Sequence, residues 1–277
     1  MKRGVDVLMI TYNRPQYTRL SLKRLLETAD DDTRIWVWHN GTDEETLEIV
    51  QSHLGHPRFH QFHHSHENAK LTEPTNWLWR ESEGVLLGKV DDDCLVPPNW
   101  IETLVSAHES NPALGVVGCW HFQNDDFEME LARPKIRQIA GEHQILLNCW
   151  VGGSGYLMKR ACVDKMGLLR DGLNFTKYCT QLAARGWMNG WYYPFILQDH
   201  MDDPRSPNTL FLSDEDFRRY RPLSAARSGA ETIEDWQSQL RESARAVQAA
   251  PFDPLYYVGW RSKARGLVGR LRKILVR

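Results

Sequence analysis

The N-terminal part of the chain repeats one pattern, in which a short apolar, β-prone run leads into a polar turn and then a helix-like segment. The apolar runs cover residues 5–10, 34–38, 58–63 and 85–90, and helical spacing of apolar residues separates them. Strands that alternate with helices predict a mostly parallel sheet with helices on both faces. With 277 residues, the chain is long enough to bury such a core without disulfides or a structural metal. We therefore predict an α/β fold.

Polar turns follow three of these predicted strands. They cover residues 11–14, 39–42 and 91–93. In open parallel sheets, ligands bind beyond the carboxyl ends of the strands. We therefore expect these three turns to meet at one crevice.

The third turn consists of three successive acids, Asp91, Asp92 and Asp93. Adjacent anions repel one another by about 1 kcal/mol per pair even in a high dielectric, so a divalent cation is an obvious source of compensation. Alternation along a strand sends Asp91 and Asp93 to one side and Asp92 to the other. The first and third acids can thus share a ligand, such as a hard cation that holds phosphate oxygens. The alternative is a solvated acidic turn that precedes a helix.

The second half of the chain is less regular. A helix is predicted over residues 100–108 and a strand over 114–120, whereas 123–141 is polar and indicates an irregular functional excursion. Three glycines within residues 151–156 would let backbone approach a ligand closely. An extended run at 191–197 ends shortly before another polar cluster.

Composition excludes several classes of protein. Hydrophobic residues make up 42% and charged residues 25% of the chain, which excludes a disordered or fibrous protein. The five cysteines are widely spaced and form no C-x-x-C pair, so we expect reduced thiols in a cytosolic protein. No apolar run approaches the roughly 18 residues that span a bilayer, and we see no secretory signal. The acidic body lacks a recognisable nucleic-acid module, so no nucleic-acid partner is expected.

Six landmarks, taken in order, resemble nucleotide-sugar-dependent glycosyltransferases of family 2, which have the GT-A fold. They are Val7–Arg14, Val37–Asp43, Asn68–Asn76, Val90–Trp100, Val151–Arg160 and Gly186–His200. The resemblance covers roughly residues 5–200. It implies inverting transfer of a sugar from a nucleotide diphosphate donor, most often a UDP-sugar, with Mn²⁺ or Mg²⁺ as cofactor. The acceptor would be a glycan or a lipid-linked hydroxyl, as in surface polysaccharide biosynthesis.

The same resemblance implies roles for particular residues. Nucleotide-sugar contacts would come from Thr11, Tyr12, Asn13, Arg14, His39, Asn40, Lys70, Asp91 and Asp92. Metal ligands would be Asp93, His200 and Asp91. Acceptor contacts would come from Trp120, Trp150, Gly152 and Gly153.

Two departures from the family pattern stand out. The family usually has an acid at the position of His39, and that acid reads the uracil ring, so the nucleobase is left open here. The family also has a Glu-Asp pair where this chain has Asn174 and Phe175, neither of which can act as a base. The nearest carboxylates, Asp171 and Asp199, are the candidate catalytic residues, with Asp171 ranked first. A non-catalytic nucleotide-sugar or glycan-binding relative is the alternative, and a nucleotidyltransferase is a weaker one.

The C-terminal part is predicted to be an extension of the GT-A domain. We assign 1–215 to that domain, with a nucleotide-binding half of about 1–100 and an acceptor half of about 101–215, and assign 216–277 to a helical extension. Residues 261–277 contain seven Lys or Arg and no acid. The spacing in 257–277 indicates a basic amphipathic helix that binds an anionic membrane surface, which would place the protein in the cytoplasm and peripherally on the inner face of the plasma membrane. A terminal helix packed on the domain is the alternative.

Overall fold

The computed structural model describes residues 4–259, which form two sheets whose strands are numbered here in chain order. The larger sheet contains β1 (Val5–Thr11), β2 (Thr33–Asn40), β3 (Phe59–Ser65), β4 (Leu86–Asp91), β6 (Leu114–Gly118), β7 (Ile136–Ala140), β8 (His143–Asn148), β9 (Tyr156–Lys159) and β10 (Met188–Tyr193). The smaller sheet pairs β5 (Cys94–Leu95) with β11 (Asp199–His200).

Ten α-helices lie within the described residues. They are α1 (Pro15–Glu27), α2 (Glu44–Gln51), α3 (Thr72–Glu81), α4 (Trp100–Ser110), α5 (Met129–Ala132), α6 (Arg160–Met166), α7 (Phe175–Ala183), α8 (Asp214–Tyr220), α9 (Leu223–Ser228) and α10 (Ile233–Ala249). Short 3-10 turns cover Asn124–Asp126, Arg133–Lys135 and Pro254–Tyr256.

The large sheet has the order β3-β2-β1-β4-β9-β6-β10-β8-β7. Every residue of β1 is buried, and alternate side chains serve opposite faces: Leu8 packs in one core cluster and Val7 in the other. This is the predicted α/β architecture, a central sheet with a core on each face. The parallel pairings of β1 set Thr11 opposite His39 and Ile10 opposite Asp91, so the three polar turns leave the sheet at the same edge, as predicted.

The other half of the sheet is mixed. β9 runs antiparallel between β4 and β6, and the β7–β8 hairpin runs antiparallel beyond β10. The prediction that residues 123–141 are irregular is therefore wrong for β7. Among the described residues, this edge strand pairs with β8 alone, and it is only partly buried. Its residues therefore lack the apolar alternation that identifies a strand in a sequence.

The C-terminal helices pack onto the sheet domain near its polar edge. Trp236 of α10 donates from its indole Nε1 to the main-chain oxygen of Asp202 at 2.7 Å, and Gln248 donates to the main-chain oxygen of Asp126 at 2.8 Å. Thr232 and Asp235 form a capping box that starts α10. From residue 260 onward, the predicted basic helix 257–277 lies outside the described residues.

Two predictions about the class of protein can be compared with the structure. All five cysteines are free and buried, which agrees with the expected reduced thiols. Between residues 4 and 259, no helix has the length and apolar character needed to cross a membrane.

Candidate active site

The three acids after β4 separate into different surroundings. Asp91 forms an ion pair with Lys89, two residues earlier on the same face of the strand, and its N–H donates to Ser154 Oγ at 2.9 Å. Asp92 is buried and accepts from the Tyr12 N–H at 3.1 Å. Burial raises the pKa of Asp92 to about 8. Asp92 therefore ties the β1 turn to the β4 turn.

Asp93, His200 and Asp202 form the candidate metal centre. One ligand atom from each of the three lies within 4.8 Å of the others. The antiparallel pair β5–β11 sets His200 opposite Cys94, and the Met201 N–H donates to the main-chain oxygen of Asp93 at 2.8 Å. This short ladder joins the acid turn to a segment that follows it by a hundred residues.

The chemistry of these side chains fits a divalent cation. Two carboxylates and one imidazole match the oxygen and nitrogen ligands that Mn²⁺ accepts. The Nδ1 atom of His200 is buried and has no hydrogen-bond partner among residues 4–259. Burial, followed by the charge of Asp93, raises the pKa of Asp202 to about 7. Burial alone would also raise the pKa of Asp93, but His200 and Arg14 hold it well below its usual range.

This group differs in one member from the predicted ligand set. Asp91 is not part of it, because the carboxylate pairs with Lys89 instead. The group contains Asp202 instead, a residue that the sequence pattern did not single out. The available signal was its position two residues after His200, in a run that contains a second acid, Asp203.

Arg14 is the cation that this group holds in the structure. Its Nη1 lies 3.1 Å from Asp93 Oδ2, and its Nη2 forms a second ion pair with Asp202. Burial alone would lower the pKa of Arg14, but Asp202 and Asp93 raise it far above its usual value. The guanidinium also lies over the ring of Tyr17, 4.7 Å from its centroid.

The predicted nucleobase residues lie at the ends of β1 and β2. His39 is fully buried; its Nδ1 is 2.9 Å from Thr11 Oγ1, and its Nε2 has no partner among the described residues. Burial, followed by neighbouring His64, lowers the pKa of His39 to about 4, so the ring is neutral near pH 7. Asn13 and Lys70 are exposed and have left-handed backbones, with φ of 50° and 59°.

Asn40 holds the loop that carries Lys70. The amide oxygen accepts from Trp38 Nε1 and from the Ala69 N–H, both at 3.0 Å. The amide nitrogen donates to the main-chain oxygen of Lys70 at 3.3 Å. The amide is thus engaged in shaping this side of the crevice.

The predicted acceptor residues have different environments. Trp120 is fully buried and stacks on Phe195 at 4.3 Å, so the expectation that it offers a sugar platform does not hold. Burial follows from its place beyond β6, where the Trp120 N–H continues the backbone pairing by donating to Ile196. Trp150 is half-buried, and Gly153 is exposed, with open space where a side chain would project.

Gly152 contacts a histidine that sequence reasoning did not select. A Cβ at Gly152 would lie 3.0 Å from Cε1 of His121, and the His121 ring lies 5.9 Å from that of His200. Burial, followed by the charge of His200, lowers the pKa of His121 to about 3. The signal that could have identified His121 is its position just beyond a predicted strand end.

The two candidate bases lie in separate places. Asp171 is exposed in the loop before α7 and lines a cavity of about 340 Å³ together with Lys177 and Arg185. Asp199 Oδ2 accepts from Ser206 at 2.9 Å and from Asn208 at 2.8 Å. Because side chains alternate along β11, Asp199 points away from the side on which His200 lies.

Both positions of the missing acid pair have structural roles. Asn174 caps α7 by accepting from the Lys177 N–H at 2.9 Å. Phe175 stacks on Tyr156, with ring centroids 4.3 Å apart. Tyr156 lies opposite Lys89 in the β4–β9 pairing, so Phe175 packs close to the acid turn.

Comparison with known proteins identifies the family. The sequence pattern of "Glycosyl transferase family 2" matches residues 6–164, more than half of the chain. A curated relative, the glucosyl-dolichyl phosphate glucuronosyltransferase of Haloferax volcanii, is 28% identical over 116 residues. That alignment covers 41% of this chain and 37% of the relative, so the chain matches well under half of that protein.

Two solved structures share the fold. A mannosyltransferase from Pyrobaculum calidifontis in complex with GDP-Man and Mn²⁺ has a TM-score of 0.61 at 16% identity, over 99% of this chain and 81% of the other. TarS from S. aureus in complex with UDP-GlcNAc has a TM-score of 0.53 at 16% identity, over 88% and 72%. These likenesses agree with the expected GT-A architecture. The chain belongs to glycosyl transferase family 2.

Proposed function

We propose that the protein transfers a sugar from a nucleotide diphosphate donor to an acceptor hydroxyl with the help of Mn²⁺ or Mg²⁺. The observation that carries this proposal is the grouping of Asp93, His200 and Asp202 where the β1 and β4 turns meet. Support comes from the structurally similar mannosyltransferase, which was solved with GDP-Man and Mn²⁺. When bound, the cation neutralises negative charge that develops on the leaving nucleotide diphosphate.

The residues around this group divide the remaining tasks. Asp93, His200 and Asp202 hold the cation, and the turn from Thr11 to Arg14 lines the nucleotide. Lys70 is exposed in the loop that Asn40 holds, and we assign it a contact with the nucleotide or its phosphates. Asp91 and its partner Lys89 lie on the adjacent side, next to Ser154, where the donor sugar would sit.

A thermal-unfolding screen with UDP and GDP, each with and without Mn²⁺, tests the donor class. A ligand at 100 times its Kd stabilises the fold by about 2.7 kcal/mol, which raises the unfolding midpoint by several degrees. We expect stabilisation by one nucleotide, most readily UDP, that requires Mn²⁺ and disappears in Asp93→Asn. Asp164→Asn is the matched control, because Asp164 is exposed on α6. Equal stabilisation with and without Mn²⁺ would contradict the proposed metal site.

Inverting transfer requires a group that takes the acceptor proton, and Asp171 and Asp199 are the proposed candidates. Asp199 has one oxygen, Oδ1, that accepts no hydrogen bond from the described residues, and Asp171 is exposed in the loop before α7. Loss of a general base costs about 10²- to 10⁴-fold in rate. Donor turnover by Asp171→Asn and Asp199→Asn protein, measured as nucleotide release, distinguishes them: the base is the residue whose variant shows that loss.

We further propose a glycan or lipid-linked acceptor and a peripheral membrane location through residues 257–277. The relative from Haloferax volcanii, whose name includes a dolichyl phosphate substrate, supports the lipid-linked choice. Sedimentation with vesicles that contain anionic lipid, comparing the full chain with a chain ending at residue 259, tests the location. Equal sedimentation of both chains would contradict it.

A non-catalytic sugar-binding relative is the second candidate, because Asn174 and Phe175 replace the acid pair and have structural roles. Release of nucleotide from a sugar donor by pure protein would exclude this candidate. Membership of glycosyl transferase family 2 argues against the nucleotidyltransferase alternative.

A further inference from the structure

The ion pairs of Arg14 involve the same two carboxylates that belong to the candidate metal centre. Nη1 is 3.1 Å from Asp93 Oδ2, and Nη2 pairs with Asp202 Oδ1. The side chains of Arg14, Asp93 and Asp202 are only 22%, 18% and 3% exposed. Two carboxylates removed from water in this way need a nearby cation. Arg14, which pairs with both, supplies it.

A divalent cation would need the oxygen lone pairs that Arg14 uses. Carboxylate oxygens bind Mn²⁺ or Mg²⁺ through their lone pairs, and a guanidinium N–H engages the same lone pairs by hydrogen bonding. Two cations at hydrogen-bond distance from the same pair of oxygens also repel each other. Asp93 and Asp202 therefore cannot fully coordinate a metal and fully pair with Arg14 at the same time.

The position of Arg14 in the chain allows its guanidinium to bind a second partner. It lies immediately before α1, in the turn that follows β1, and its side chain makes no capping hydrogen bond to the helix. The ring of Tyr17 supports the guanidinium from one side, while the Tyr17 hydroxyl is fixed by donating to the main-chain oxygen of Met201 at 2.7 Å. If released from the carboxylates, the guanidinium remains at the crevice edge where the nucleotide turn ends. There it can bind a diphosphate through two parallel hydrogen bonds.

We propose that Arg14 is the resident cation of this centre and that it exchanges carboxylate partners for donor phosphates when the divalent cation binds. This inference rests on the proposed function, because it assigns a consequence to the metal and donor sites. The exchange couples the two ligands. The cation binds weakly to the free protein, since it displaces Arg14 into water, and more tightly when a nucleoside diphosphate is present to receive the guanidinium. By linkage, the cation tightens nucleotide binding by the same factor.

Direct measurement of Mn²⁺ binding tests the exchange without any need for a known sugar or acceptor. The electron paramagnetic resonance signal of free Mn²⁺ gives its Kd in the absence of nucleotide and with saturating UDP or GDP. We expect nucleotide to tighten Mn²⁺ binding by the wild-type protein by about tenfold, within the range of ordinary coupling. Arg14→Gln should bind Mn²⁺ alone about tenfold more tightly than wild type, and should lose most of the tightening by nucleotide.

Arg19→Gln provides the matched control. Arg19 lies on α1, the helix that follows Arg14, is 61% exposed and pairs with Glu45 at 3.4 Å, so removing its charge should leave both Kd values at the wild-type level. Arg14→Lys is the second variant if Arg14→Gln folds poorly. It keeps a cation but only as a point charge, and should retain weak Mn²⁺ binding with reduced coupling. Circular dichroism verifies that each variant is folded.

The results separate this inference from the proposed function. Mn²⁺ binding by Arg14→Gln that is equal to or weaker than that of wild type, together with normal wild-type binding, would overturn the exchange and leave the metal-dependent function standing. If wild type binds no Mn²⁺ even with UDP or GDP, the metal dependence itself is refuted, and the exchange is refuted with it.

Discussion

Asp202 depends on a helix of the C-terminal extension for its position, and this dependence can be measured. Among the described residues, one side chain donates a hydrogen bond to the main-chain oxygen of Asp202. It is the indole Nε1 of Trp236 in α10, at 2.7 Å. Trp236 is 6% exposed. We predict that Trp236→Phe weakens Mn²⁺ binding although the indole bonds to the main-chain oxygen of Asp202 and not to its carboxylate.

The size of the effect follows from the buried hydrogen bond. Phe keeps an aromatic ring but removes the donor, which leaves a buried carbonyl unsatisfied at a cost of about 1–3 kcal/mol. Part of this cost lowers the free energy of unfolding. The rest appears as a less fixed position of the segment that carries Asp202, which weakens metal binding. If half of it appears in metal binding, the Mn²⁺ Kd rises about two- to twelvefold, since about 1.4 kcal/mol is tenfold.

Leu240→Ala is the matched control for a loss of stability alone. Leu240 lies on the same helix, is 6% exposed and packs in the same cluster as Trp236, but its side chain has no donor for a hydrogen bond to Asp202. Its truncation should cost about 2–5 kcal/mol in unfolding free energy. Urea unfolding gives the stability of both variants, and Mn²⁺ titration gives the Kd. An unchanged Kd in Trp236→Phe, or an equal increase in both variants, would refute the positioning role of the indole.

Two further predictions concern stability away from the crevice. Asp6 is fully buried and accepts from Arg34 through two bonds of 2.7 Å and from Trp36 at 2.8 Å, so Asp6→Asn should lower the free energy of unfolding by about 3–5 kcal/mol in urea, whereas an unchanged midpoint would contradict this. Burial lowers the pKa of His108 to about 3 and that of His39 to about 4, so the unfolded chain binds protons first as pH falls. The stability that these two histidines contribute should therefore be full above about pH 6.5 and decrease from there toward pH 4, so His108→Gln should lose less stability than wild type over that range in unfolding experiments at graded pH.

The features that sequence reasoning predicted correctly are local ones. The apolar run of β1 and the acids after β4 identify a strand end within a few residues, and parallel neighbours bring such ends to one edge. The roles of Asp91 and Asp202 could not be predicted in this way. The pairing of Asp91 with Lys89 and the approach of Asp202 both depend on side-chain choices among several charged neighbours, and these are decided by tertiary packing.

Strands with one polar face were the hardest elements to predict. Among the described residues, β7 is an edge strand that pairs with β8 alone. Its two faces are only partly buried, so burial does not require an apolar pattern in its sequence. The burial of Trp120 was missed for the opposite reason. A tryptophan at a strand end can pack in the core or contact a ligand. The stacking of Trp120 on Phe195, 75 positions later in the chain, places it in the core.

The two-residue ladder between β5 and β11 has a consequence for how the protein acquires activity as it folds. The region that matches the family ends at residue 164 and contains Asp93 alone of the candidate cation group, while His200, Asp202 and Trp236 all come later. Contacts between residues this far apart in the sequence form late, because the entropy cost of closing the intervening loop must be overcome first. A nascent chain therefore completes the turns after β1, β2 and β4 well before His200 and Asp202 are available, so the candidate cation group is among the last parts of the site to form during synthesis.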